Sequence, residues 1–184
     1  MDEHKLYILL SDTKSVISKG IKLYTRKQYS HVSIALDENL EELYSFGRLK
    51  PHNPLIGGFV REDIDNGTFN LFPNTECALY SINVTTEQLN QVREVIHRFK
   101  YSYQRYGYNF LGIIGLIINK PISRKYSYFC SQFVAEVLYD SGINIIDKEV
   151  GLTLPEDFKN SEDLKLIYEG SLHKYDRRIQ SSFN

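Results

Sequence analysis

The chain has 184 residues, enough for one domain with a single sizeable core. Its 22 basic and 23 acidic residues leave a formal charge of −1 and are interspersed, which excludes the electrostatic footprint of a nucleic-acid binder. Two cysteines, Cys77 and Cys130, exclude a disulfide framework and a structural zinc site.

In chain order, the polar start Met1 to Lys5 is unlike a secretory signal, so a reducing, cytoplasmic compartment is expected. Lys5 to Leu10 reads as a strand ending at Ser11-Asp12-Thr13, and Ser15 to Gln28 as a helix weakened at Gly20. His31 to Leu36 alternates, and Asp37-Glu38-Asn39 turns the chain before Glu42 to Phe46, which predicts a hairpin. Gly47 to Gly58, with two prolines and a Gly-Gly pair, reads as a loop. Strands are expected near Phe69 to Phe72 and Cys77 to Val84. Thr85 or Thr86, with Glu87 and Gln88, opens a helix in capping-box style that runs to about Lys100. Tyr101 to Ile118 reads as partly helical, interrupted near Gly107. A helix runs from about Cys130 to a stop at Gly142, Leu154 to Phe158 is a turn or helix start, and Leu164 to Glu169 is a strand. No internal repeat or linker divides the chain.

Cys130 opens the amphipathic stretch Tyr128-Phe129-Cys130-Ser131-Gln132-Phe133-Val134-Ala135-Glu136-Val137-Leu138. The orphan N–H groups and positive dipole end of a helix favour a thiolate, the form of cysteine that attacks carbonyl carbon. Cys130 also shares the core stripe with Phe133, Val134, Val137 and Leu138, so a buried structural cysteine is the competing reading. Ser127 is a candidate cap, and Ser131 and Gln132 are candidate donors to an oxyanion. Cys77, mid-strand among apolar neighbours, reads as structural.

His31 begins its strand. If Val32, Ile34 and Leu36 face one side, His31, Ser33 and Ala35 face the other, a small polar face compatible with a cleft. An ordinary half-exposed histidine is the alternative. His4, His52, His97 and His173 sit in less suggestive contexts. The apolar run Phe110 to Ile118 is either a buried helix with Gly112 and Gly115 for close packing or an acyl-chain or membrane contact surface; the buried helix is preferred. Tyr108-Asn109 is placed near the cleft.

Three segments, Tyr29-Ser30-His31-Val32-Ser33-Ile34-Ala35-Leu36, Leu43-Tyr44-Ser45-Phe46 and Tyr128-Phe129-Cys130-Ser131-Gln132-Phe133-Val134, resemble the permuted papain-like group of the NlpC/P60 superfamily. That group includes YiiX-type amidase-like and lecithin:retinol-acyltransferase-like proteins. Pro155 and Asp157 resemble a segment that follows the cysteine helix there. His31 precedes Cys130, the reverse of ordinary papain-like order. The resemblance implies an α+β, circularly permuted papain-like fold over 1–184, with an antiparallel sheet packed against helices. It also implies a site of Cys130, His31 and an orienting residue on the second strand. Where the family often carries Glu or His, the alignment puts Ser45, which accepts a hydrogen bond but cannot balance an imidazolium. Glu42 is the alternative, on the opposite strand face.

The leading expectation is a cysteine hydrolase or acyl/amide transferase acting on an amide or ester bond of a peptide, amide or ester substrate. It needs no metal and no cofactor. The competing expectations are a catalytically weak binding module and a lipid-directed acyltransferase at a membrane surface. Substrate identity and oligomeric state are not marked by any residue.

Overall fold

The computed structural model describes residues 3–15, 18–19, 22, 26–103, 106–109, 122 and 125–175. Six strands form one sheet, ordered β4-β3-β2-β1-β5-β8, with every neighbouring pair antiparallel. They are β1 (Glu3–Asp12), β2 (His31–Ala35), β3 (Leu43–Lys50), β4 (Asn53–Glu62), β5 (Glu76–Thr85) and β8 (Lys165–Ser171). The helices are α1 (Gly67–Leu71), α2 (Thr86–Tyr101), α3 (Cys130–Asp140) and α4 (Pro155–Lys159). A small parallel pair, β6 (Gly107–Tyr108) and β7 (Ser127–Tyr128), leads into α3. This is a mixed α+β architecture with a large antiparallel sheet and helices.

Strand alternation divides two cores. Leu6, Ile8, Leu10, Val32, Ile34, Tyr44 and Phe46 meet α2 and α3 on one face. Tyr7, Leu9, Ala35, Leu43 and Leu79 meet Phe69 of α1, Leu172 and Tyr175 on the other. Because a strand places successive side chains on opposite faces, a central strand buried on both sides reads as the continuous apolar run seen in β1.

The expected hairpin is present. Glu42 and Glu41 donate backbone N–H bonds to the Asp37 carboxylate (2.7 and 3.1 Å), which closes the turn between β2 and β3. Thr85 and Gln88 form the expected reciprocal capping box of α2. Thr85→Ala should lower the urea-unfolding free energy by about 1 kcal/mol, as loss of a side-chain cap does; an unchanged midpoint would show the cap to be inert.

α3 ends where Gly142 adopts φ +68°, with Ile143 N–H on the Leu138 carbonyl (2.9 Å) and Gly142 N–H on that of Tyr139 (3.0 Å). Glycine takes this left-handed conformation without the Cβ penalty that other residues meet.

Two expectations fail. Gly47 to Gly58 is not a loop, since β3 continues to Lys50 and β4 begins at Asn53, with Phe46 opposite Phe59. Its glycines are strand residues that admit neighbours: a Cβ on Gly57 would stand 2.9 Å from both Cβ and Cδ2 of Tyr108. Phe69 to Phe72 is not a strand, because Gly67–Leu71 forms one helical turn that buries Phe69 under the sheet. Half of the expected Ser15–Gln28 helix lies outside the described residues, as does the whole run Phe110 to Ile118. Among the described residues no helix is long and apolar enough to cross a membrane.

Candidate active site

α3 lies across β2 and β3 and so carries its first residue, Cys130, to the end of β2 where His31 begins. Packing, not capping, sets this position. Phe133, one turn into α3, is fully buried against Phe46, Phe59 and Phe99, with ring centroids 5.3, 5.7 and 5.1 Å away. The N-cap residue is Phe129 and has no side-chain cap; Ser127, expected there, belongs to β7. Ser131 is turned away from the thiol, donating its hydroxyl to the Thr153 carbonyl (2.6 Å), while Gln132 is buried with its Oε1 unpartnered. At a helix start the first N–H groups have no intrahelical acceptor, which leaves main-chain donors beside Cys130.

His31 Nε2 is 2.9 Å from Glu62 Oε1. The two side chains are only 19% and 10% exposed, so solvent screens this pair weakly. Glu62 is the last residue of β4, and its other oxygen accepts the Ser33 hydroxyl. Burial alone would push the carboxyl pKa up. The His31 charge, the bonds from His31 and Ser33, and the adjacent Ser45 hydroxyl outweigh it and hold Glu62 below the usual carboxylate range. For His31, burial favours the neutral ring, but the Glu62 and Cys130 charges and hydrogen bonds to both side chains raise its pKa well above 6.5. His31 is therefore bonded to a carboxylate on one side and lies within electrostatic reach of the Cys130 side chain.

The partner expected from the sequence was Ser45 or Glu42. Ser45 is fully buried, and its hydroxyl meets no partner at strict hydrogen-bond geometry. It stands beside the Glu62 carboxylate, close enough to favour its charged form: a Cβ on Gly47 would lie 3.3 Å from Ser45 Oγ and 3.4 Å from Glu62 Oε1. Glu42 accepts the Tyr44 hydroxyl instead (3.1 Å). The group bonded to His31 is Glu62, a residue the sequence reading did not single out. Its one local signal is the run Phe59-Val60-Arg61-Glu62, a strand pattern ending in a carboxylate.

Tyr108, expected near the cleft, is there: its phenol lies within electrostatic reach of both Cys130 and Arg48, and burial pushes its pKa up. Asn109 is buried and ties β6 to β7 through its N–H on the Tyr128 carbonyl (2.9 Å). Cys77 lies in the opposite core, where burial pushes its thiol up to about 12. Of the other histidines, His4 meets Thr86 at 3.0 Å and His173 meets the Phe69 carbonyl at 3.2 Å, both remote from Cys130 in the contacts they make.

No family model matches the chain, and no curated protein matches it in sequence. Among solved structures, the chain is similar to the metalloprotein YiiX of Escherichia coli O157:H7, described as DUF1105. The likeness has a TM-score of 0.58 at 16% identity and covers 90% of this chain and 97% of that one. At this identity the likeness is one of fold: a mixed α+β protein with a large antiparallel sheet and helices, similar to YiiX.

Proposed function

We propose that this protein is a permuted papain-like cysteine hydrolase or acyl/amide transferase that cleaves an amide or ester bond, with Cys130 as nucleophile, His31 as base and acid, and Glu62 as the residue that orients and charges His31. The observation that carries the reading is His31 bonded through Nε2 to the Glu62 carboxylate (2.9 Å) with the Cys130 side chain within electrostatic reach of the same ring. Nucleophile, base and orienting group in hydrogen-bonded series are what thiol catalysis requires.

With Nε2 held by Glu62, Nδ1 is the nitrogen left for the thiol. The ring already holds the Cys130 proton, so the site rests as an imidazolium–thiolate pair; the thiolate sulfur bonds to the carbonyl carbon, and the carbonyl electron pair moves onto oxygen. Main-chain N–H groups at the start of α3 receive that oxyanion. Its collapse breaks the bond to the amine or alcohol, which leaves with the proton from His31. Water, or a second acceptor, then gives a proton to His31 and attacks the thioester carbonyl; collapse breaks the carbon–sulfur bond, and the sulfur and the His31 proton restore the resting pair. Glu62 stays ionised throughout and stabilises the imidazolium. Ser33 and Ser45 fix the carboxylate rather than touch the reacting atoms.

Among the described residues no group of three or more His, Cys, Asp or Glu side chains is placed to hold a metal ion.

Native protein treated with a limiting thiol-reactive electrophile should be modified at Cys130 in preference to Cys77, and Cys130→Ser should abolish that labelling with the circular dichroism unchanged. Peptide mapping reads the site. Modification of Cys77 alone in the native protein would overturn the proposal.

A further inference from the structure

Arg48 is a half-buried cation, linked to the candidate nucleophile through Tyr108, that the proposed mechanism does not use. Along β3, Tyr44, Phe46 and Arg48 alternate onto one face. The first two pack into the helix-side core, Phe46 against Phe133 of α3 and against Tyr128 (5.1 Å between centroids), so the stripe points at the start of α3 and ends in a guanidinium. Arg48 is opposite Gly57 in the β3–β4 register, and Gly57 is where Tyr108 presses onto the sheet. The Tyr108 phenol in turn lies within electrostatic reach of Cys130. Arg48, Tyr108 and Cys130 therefore follow one another across the same end of the sheet.

The guanidinium is half-buried and has no carboxylate partner among the described residues. Its contacts are neutral: Nη2 donates to Ser15 Oγ (3.0 Å), Nη1 to the Pro51 carbonyl (3.4 Å), and the Phe72 ring lies 5.2 Å from Cζ. The nearby Asp12 is already engaged by Lys22, the Ser18 hydroxyl and the Lys14 N–H. A guanidinium carries five N–H donors in a planar fork. Two neutral acceptors and a ring face hold it in place without balancing its charge. Burial without a counter-ion is unfavourable, and its cost shows as a lowered Arg48 pKa. Such a site is complementary to an arriving anion.

Resting on the thiol-enzyme reading above, we infer that Arg48 is the specificity-determining residue of the Cys130 site and binds a carboxylate carried by the substrate next to the bond that is cleaved. Ser15 and Phe72 hold the fork, and the Tyr108 phenol lies within electrostatic reach of both the fork and Cys130. The substrate class is an amide or ester whose acyl or leaving portion bears a free carboxylate, as in a peptide cleaved near a chain terminus or beside an acidic side chain.

Alkylation of Cys130 tests this without the natural substrate. Iodoacetate and iodoacetamide form the same S–C bond and expel iodide, and differ in whether a carboxylate accompanies the reacting carbon. The ratio of their second-order rates cancels the reactivity of the thiol. In Arg48→Gln that ratio should fall about tenfold, the size of effect that local charge has on anion delivery; Arg48→Lys should keep it within about twofold of the native value. Arg48→Met is the second neutral variant, with native circular dichroism and an unlabelled Cys77 reporting a native fold. An Arg48→Gln or Arg48→Met ratio equal to the native one overturns the subsite and leaves the enzyme reading standing. Failure of both reagents to modify Cys130 in native protein overturns the enzyme reading and the subsite together.

Discussion

Replacing Glu62 with Gln should lower the iodoacetamide rate at Cys130 near neutral pH by about a hundredfold, within the range that general acid–base groups contribute. Gln keeps the shape and one acceptor but removes the charge that balances the His31 imidazolium. Burial, which favours the neutral ring, then meets less opposition, and the His31 pKa should drop from well above 6.5 toward or below it. An NMR titration of the His31 ring reads that drop directly. The same substitution tests linkage. A raised His31 pKa contributes stability that is complete below 6.5, its ordinary value, and is lost as pH rises through the folded value. A lowered Glu62 pKa contributes above 4.5 and is lost as pH falls through its folded value. The pair therefore stabilises most between 4.5 and 6.5. In that window Glu62→Gln should cost about 2–3 kcal/mol, less than a fully buried pair because both side chains keep some exposure. Above the folded His31 value the difference from native protein should shrink. A pH-independent difference, or an unmoved His31 titration, would show that Glu62 does not charge His31.

Phe133→Ala should be the most destabilising single change in the helix-side core, by about 3–5 kcal/mol in urea unfolding. Phe133 has no exposed surface, and three of its ring neighbours, Phe46, Phe59 and Phe99, come from β3, β4 and α2. No small movement of one element can fill the space left between three. The same ring seats α3 on the sheet, so protein that remains folded should also lose selective labelling of Cys130 over Cys77. Phe133→Leu should restore much of both. Full labelling selectivity in a folded Phe133→Ala variant would show that the placement of Cys130 does not depend on this packing.

These two outcomes separate what local pattern carries from what it cannot. The alternation of His31 to Leu36, the Asp37 turn, the Thr85–Gln88 box and the Gly142 stop were legible because each is a contest between residues a few positions apart. Gly47 to Gly58 was misread for a physical reason. Glycine and proline ordinarily mark turns, yet here Gly57 is in a strand because a ring from β6 presses onto it, and nothing near residue 57 announces residue 108. Phe69 was misread because a short apolar run fits a strand or a helical turn equally, and the choice falls to the sheet face it covers.

The candidate site divides the same way. Cys130 at a helix start and His31 at a strand start are local facts, and the sequence alone set them in order, His31 first. The charge on His31 is not local. Glu62 is 31 residues from it and reaches it because β4 returns beside β3 and lays its final carboxylate beside Ser33 and Ser45. Ser45 was therefore placed in the right neighbourhood and given a different contact, next to the carboxylate rather than on the ring. By itself the sequence marked Cys130 and His31 as candidates for thiol chemistry and gave the elements that present them. Only the tertiary structure decided which carboxylate balances the histidine and that Arg48 is half-buried with no carboxylate partner among the described residues, because charge pairing is fixed by through-space distance in a poorly screened interior and not by separation along the chain.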